Sequence, residues 1–309
     1  TRLSVVTGVQ TCALPILVLL EEEQFLTKKV GYLGPKGTFT KLAVDMAFNG
    51  ETYESFNTIP ECIDAVYYDQ IDIGVVPLEN AIEGTVQLTI DYLVHEVRLP
   101  VHAELVVPIQ QHLLVNPNFN GDIEDLTEIH SHSHAIAQCH QYLHKNIPQA
   151  TLHYTSSTGK AAELVSQTDR PIAAIGNKLA AKEYGLKMIK ENIHDYPNNH
   201  TRFAVLAKEK DVVQINHPVS AEKTTMLITL PRDQAGALHQ VLSAFAWRKM
   251  NLSKIESRPM KTGLGNYFFI IDVDQPLDDV LFPGVKGELE ALGCEVTILG
   301  SYPVYQMKV

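Results

Sequence analysis

Strand and helix patterns alternate from Val30 to about Tyr184, and a second tract from Thr224 to Leu299 reads strand-helix-strand-strand-helix-strand. Together they predict an α/β protein with a two-lobed domain, followed by a small α+β module of the ferredoxin-like βαββαβ type. The polar stretch 208–222, which contains Pro218, marks the boundary between the two. A chain of 309 residues exceeds one average core and accommodates two or three domains.

The elements follow in order. Val30-Gly31-Tyr32-Leu33 is a short buried strand ending at Gly34-Pro35, and a loop through Thr38 leads to a helix with Leu42, Ala43, Met46 and Ala47 on one face, stopped by Asn49-Gly50. Thr52–Phe56 is a strand. Thr58-Ile59-Pro60-Glu61 reads as a capping box opening a helix with Ile63, Val66 and Tyr67. Ile71–Val76 is a third strand, ending at Pro77. After Leu99-Pro100 the segments Val101–Val107 and His112–Val115 read as strands that cross to a second αβ lobe, which contains a helix from about Ser133 to His144. Ligands in such folds bind in the cleft faced by strand C-termini. In the last module Thr224–Leu230, Leu252–Pro259, Tyr267–Val273 and Cys294–Leu299 are strands. Ala235–Met250 and Val280–Leu292 are helices, and 261–266 is a turn.

Composition narrows the function. The net charge of -11 argues against nucleic-acid or anionic-membrane surfaces, which need clustered Lys and Arg. An anionic substrate would need a locally positive site built from a few cations and from helix N-termini. Cys12, Cys62, Cys139 and Cys294 lack metal-ligand spacing and fit free thiols in a reducing cytoplasm, so neither a metal nor another cofactor is implied. The apolar run 12–20 is too short to span a bilayer and is followed by Glu21-Glu22-Glu23 rather than a cleavage site. The tract 6–16 resembles a translated sequencing adapter. Residues 1–27 are therefore read as an extension, foreign up to about Ile16.

Four motifs carry the chemistry. Asn198-Asn199-His200-Thr201-Arg202-Phe203 runs from a polar loop into an apolar strand; it places a neutral hydroxyl donor beside an anion-holding guanidinium, though by itself it also reads as a polar turn. Gly34-Pro35-Lys36-Gly37-Thr38-Phe39 can bring backbone N–H groups and Thr38 near an anion, or simply form a glycine turn with an N-cap. Glu79 and Asn80 emerge at the end of a buried strand, where they can orient a substrate or merely satisfy the loop. In Ser131-His132-Ser133-His134, the two histidines do not share a helix face; Ser131 and Gln138 can face the cleft together.

In combination these motifs resemble the prephenate dehydratase family, from Val30 to about Tyr302. The resemblance implies a catalytic domain (28–210) with two lobes like a type II periplasmic binding protein. It implies Thr201 as the central hydroxyl, with Glu79, Asn80, Ser131 and Gln138 lining the pocket beside Gly37 and Thr38. Ser156-Ser157-Thr158 resembles another pocket segment, and Arg202 with Phe203 completes the strand motif. The module at 222–305 looks like an ACT domain. Its Gly236-Ala237-Leu238-His239 and Glu256-Ser257-Arg258-Pro259 resemble the two motifs that bind inhibitory phenylalanine across a dimer interface. Prephenate as substrate, phenylalanine as inhibitor and self-association as dimer or tetramer follow from it. Ala81, where the family usually has Ser, and Ser133-His134, in place of a Pro-Gln-type pair, are departures. No chorismate mutase module precedes Val30, so a monofunctional enzyme is expected. Arogenate dehydratase and a non-catalytic amino-acid sensor are the alternatives.

Overall fold

The computed structural model describes residues 27–208, 213–232, 234–260 and 267–308; nearly all of the N-terminal extension and the turn expected at 261–266 lie outside them. The first lobe is built from β1 (Lys29–Leu33), α1 (Phe39–Ala47), β2 (Thr52–Phe56), α2 (Ile59–Tyr67) and β3 (Ile73–Asn80), with β1 parallel to both β2 and β3. The expected capping box opens α2. The Thr58 hydroxyl accepts the Glu61 N–H at 3.2 Å, and the Glu61 carboxylate accepts the Thr58 N–H at 3.2 Å. Along α1 the deepest side chains are Ala43, Val44 and Ala47, while Leu42 and Met46 are only partly covered.

β3 does not end at Pro77. It continues through Asn80 and pairs there with β4 (Gly84–Thr85), which leads to α3 (Gln87–His95). β5 (Val101–Pro108) then hands the chain to the second lobe. That lobe comprises β6 (His112–Val115), β7 (Glu128–Ser131), α4 (Ser133–Ala137), α5 (His140–Asn146), β8 (Thr151–Tyr154), α6 (Thr158–Ser166), β9 (Ile172–Gly176), α7 (Lys178–Glu183) and β10 (Lys187–Lys190). Its sheet has the order β10-β6-β9-β7-β8. β11 (His200–Leu206) returns to the first lobe between β3 and β5.

The single helix expected from about Ser133 to His144 is two helices. The chain leaves helical geometry at Cys139 (φ -113, ψ 11). The Gln138 carbonyl accepts the Asp195 N–H at 2.7 Å, and the Asp195 carboxylate receives the N–H groups of Gln141 and Tyr142 at the start of α5. A residue more than fifty positions away thus satisfies the orphan donors of the second helix, which no local pattern registers.

The C-terminal module is β12 (Ala221–Thr229), α8 (Ala237–Ala246), β13 (Leu252–Pro259), β14 (Tyr267–Val273), α9 (Leu281–Ala291) and β15 (Glu295–Gln306), the predicted βαββαβ order. Met226, Phe245, Ile271 and Phe282 share its core. β15 runs seven residues beyond the expected end, and its last part pairs in parallel with β5, Val304 beside Glu104. The module therefore continues the sheet of the first lobe, in the order β13-β14-β12-β15-β5-β11-β3-β1-β2. Leu227, Phe268, Ile270 and Leu299 of the module share one buried cluster with Ile90 and Leu93 of α3. At about 1.5–3 kcal/mol for each fully buried large apolar side chain, this junction is far stronger than a tethering linker. No described helix is long and apolar enough to cross a membrane.

Candidate active site

A cleft of about 950 Å³ opens between the lobes, lined from the first by Thr38, Thr58, Asn80, Thr85 and Thr201, and from the second by His132, Gln138 and Ser156. Five N-cap residues lie on its wall: Thr38 of α1, Thr58 of α2, Val86 of α3, His132 of α4 and Ser157 of α6. Each helix start presents unpaired N–H groups and the positive end of its dipole. No lysine or arginine is among the lining residues. In a chain of net charge -11 the peptide dipoles at these helix starts are what the cleft offers an anion, with the Glu83 carboxylate also on its wall.

One hydrogen-bonded chain spans the lobes through this cleft. The Asn80 Oδ1 accepts the N–H groups of Ile82 at 3.0 Å and Glu83 at 3.1 Å, which fixes the amide so that Nδ2 points the other way. Nδ2 donates to Thr201 Oγ1 at 2.9 Å and to Asn199 Oδ1 at 3.0 Å. Asn199 Nδ2 in turn donates to Gln138 Oε1 at 3.0 Å, across to the second lobe. Thr201 thereby accepts a hydrogen bond and keeps its own proton to give. Asn199, buried and central, is absent from the sequence-level site; it sits inside the Asn-Asn-His-Thr motif, but nothing local separates it from a turn residue.

The remaining expected residues divide. Thr38 lines the cleft while capping α1, its Oγ1 accepting the Lys41 N–H and donating to main-chain carbonyls of Leu33 and Pro35. Gly37 serves the lobe contact: its φ is +77, and a Cβ would come within 3.1 Å of Ala180 in α7. Gly159 of α6 meets the same turn, and a Cβ there would stand 2.5 Å from the Lys36 carbonyl. Tyr184 donates to that carbonyl as well. Ser131, placed in the pocket on sequence grounds, is buried in the second lobe with its hydroxyl donated to the Ile175 carbonyl at 2.7 Å, and Phe203 is a core residue of the first. Neither is among the lining residues.

Glu79 and Arg202 also point elsewhere. Side chains alternate along a strand, so with Thr201 and Asn80 in the cleft their neighbours take the opposite face. Arg202 donates to Glu104 from Nε at 2.8 Å and Nη2 at 2.6 Å, to Glu79 from Nη1 at 2.6 Å, and to Asp272 of β14 from Nη2 at 2.8 Å. Burial works against its charge, but Glu104 and Asp272 outweigh that and hold the guanidinium above its ordinary range. It is saturated by the protein's own carboxylates and holds no substrate carboxylate in this arrangement. In the cleft, His132 is lowered by burial and by His134, against an opposing pull from Glu83, so it favours the neutral imidazole.

The family model described as prephenate dehydratase matches residues 30–211. The chain belongs to the prephenate dehydratase family. The prephenate dehydratase of Bacillus subtilis (strain 168) is 54% identical over 286 residues, covering 90% of this chain and all of that protein. Among solved structures, the Arthrobacter aurescens prephenate dehydratase in complex with L-Phe superposes with a TM-score of 0.78 at 34% identity, over 89% of each chain. GqqA, described as a quorum-quenching acylase, superposes at 0.77 with 26% identity, over 90% of this chain and 98% of that one. The activity of the prephenate dehydratase family is the dehydration of prephenate with decarboxylation. A neutral donor in a cleft ringed by helix N-termini suits that chemistry.

Within this prephenate dehydratase fold the C-terminal module touches the cleft through Thr85. Lys254 of β13 donates to Thr85 Oγ1 at 2.7 Å and to Glu79 Oε2 at 2.9 Å, and the Thr85 hydroxyl donates to Glu256. Arg258 donates to Asp91 of α3 at 2.7 Å, leaving its buried Nε without a partner. Ser257 and Pro259, by strand alternation, are exposed on the other face. Gly236 precedes α8 with φ +86 and open space where a Cβ would stand; Ala237 is buried and Leu238 exposed.

Proposed function

We propose that the cleft binds prephenate and releases phenylpyruvate, carbon dioxide and water, with Thr201 hydrogen-bonding the departing hydroxyl. The carrying observation is the Thr201 hydroxyl, which accepts from Asn80 and donates to no described residue. In the reaction the bond to the ring carboxylate breaks, its electron pair enters the ring, and hydroxide leaves from the opposite ring carbon. Aromatisation supplies the driving force, so the protein's task is geometry and charge. A threonine is too weak an acid to protonate the leaving group unaided. The Asn80 amide stabilises the negative charge that grows on Oγ1 as its proton shifts towards the leaving oxygen, and the proton is replaced from solvent. The helix N-termini hold the retained carboxylate.

The test is phenylpyruvate formation from prephenate by the parent and by Thr201→Ala, with arogenate as a competing substrate. Parental turnover in the variant overturns the role of Thr201, and a preference for arogenate reassigns the substrate. Acylase chemistry would require an activated nucleophile, whereas the partner of Thr201 is an amide and not a base. The three described cysteines are buried and free, and burial pushes the Cys62 thiol up to about 12, so it offers no ready thiolate nucleophile.

We read the module as an ACT domain that binds phenylalanine between two copies, in a homodimer or a tetramer. The L-Phe complex of the Arthrobacter relative supports this, as do the open space at Gly236 and the exposed Leu238 and Ile255 beside the sheet-edge strand β13. Glu256 would report ligand to the cleft through Thr85, and its neighbour Lys254 would report through Glu79, next to Asn80. Calorimetry of phenylalanine binding to the parent and to a bulky Gly236 variant tests the site; unchanged inhibition in the variant rules it out.

A further inference from the structure

Outside the cleft, three metal-ligating side chains meet on one face of the second lobe. β7 and β8 run in parallel with His130 directly beside His153, and Glu128 lies two residues before His130. Positions two apart on a strand share a face, and paired positions stand side by side. Glu128 Oε2 is 2.8 Å from His130 Nε2 and 3.8 Å from His153 Nε2. The two imidazoles stack at 4.7 Å with 12° between their planes. All three ligand atoms fall within 4.8 Å of one another.

We propose that Glu128, His130 and His153 form a binding site for a divalent transition metal of the zinc type. Tetrahedral zinc with ligand bonds of about 2.0–2.2 Å separates its ligand atoms by about 3.3–3.5 Å, between the two measured N–O distances. Two imidazoles and one carboxylate select zinc or its transition-metal neighbours over magnesium or calcium, which prefer oxygen. Arg170 pairs with Glu128 through Oε1. That leaves Oε2 for the ion and supplies the outer hydrogen bond that orients a ligating carboxylate. His130 and Glu128 are mostly covered while the His153 side chain is 46% exposed, so the fourth position faces solvent. An ion there would tie the exposed edge strand β8 to β7. Those strands lead into His132 and Ser156, which both line the cleft wall.

The experiment uses the full chain stripped with chelator, titrated with zinc chloride by calorimetry and followed by thermal unfolding; cobalt(II) absorption reports the geometry. One equivalent of zinc should bind and raise Tm. His153→Ala and Glu128→Gln should each weaken binding at least tenfold. His144→Ala should not, although His144 stacks on His140 along α5 and could form a rival pair. His153 is half exposed, so its loss spares the fold, and the metal-free Tm of the variant checks this. Absence of a zinc-dependent Tm shift in the parent, or equal zinc affinity in the parent and His153→Ala, would show that the cluster is an ordinary glutamate–histidine pair and overturn the proposal.

Discussion

On the cleft side of β11, Thr201 sits among neutral amides with its proton unclaimed; on the other side, Arg202 is locked by Glu79, Glu104 and Asp272. The two residues are consecutive, and one peptide of strand alternation separates chemistry from mechanical coupling. The charge in this motif does not serve the substrate: it neutralises carboxylates that join the module to the first lobe. In the proposed reading the attraction for an anionic substrate comes from peptide dipoles, which need no counter-ion and leave the donor in a neutral setting.

The sharpest way to break this comparison is to empty the charged side. Arg202→Ala leaves three carboxylates, two of them almost fully buried, with only the more distant Lys223 and with Lys254 as counter-charges, and is expected to cost about 3–5 kcal/mol of stability in denaturant unfolding. A loss below about 1 kcal/mol, the range of a surface pair, would mean the network holds little. Thr201→Ala acts on the other face. It should lower kcat by about 10²–10³, or about 2.7–4 kcal/mol, with unfolding unchanged. If the two variants exchanged these phenotypes, the assignment of faces would be wrong.

Between the lobes, Asn199→Ala removes the link from Asn80 to Gln138 and should raise KM about tenfold, equivalent to about 1–2 kcal/mol for a buried hydrogen bond. An unchanged KM would show that the lobes close without it. Lys254→Met cuts the path from β13 to Glu79 and leaves only the Glu256 contact to Thr85. It should reduce phenylalanine inhibition several-fold, within the 5–150-fold usual for coupled sites, and inhibition assays at fixed prephenate read it directly.

The smallest effect concerns His112, lowered by burial and by Lys178 to about 4, with His194 adding to the shift and Glu191 opposing it. Its Nδ1 accepts the Asn192 N–H, a bond that protonation would break. The unfolded chain takes up this proton near 6.5 and the folded one only near 4, so the contribution is constant above 6.5 and is lost between 6.5 and 4. His112→Gln should flatten that part of the stability–pH curve; an identical slope would place the acid sensitivity in other groups.

Much of this was legible locally. The capping box at Thr58–Glu61 and the βαββαβ order came through because capping and periodicity involve residues a few positions apart. The four motifs named the family, and Thr201, Asn80 and Gln138 do meet. Ser131 and Phe203 were harder, since a hydroxyl or a ring beside a motif looks the same whether it faces a cleft or a core. The break at Cys139 was invisible because Asp195, which causes it, arrives from another segment.

The sequence alone determined most of the elements that form and which residue types stand at their ends, because hydrophobic period and N-cap chemistry act within one or two turns. Only the tertiary structure decided the direction of Arg202, the bridging role of Asn199 and the pairing of β15 with β5 that fuses module and lobe. Those outcomes rest on contacts such as Asn80 with Thr201, 121 positions apart, or Lys254 with Glu79, 175 apart. Strand register and burial set such contacts, and a change of one residue in register would have turned every one of them to the opposite face.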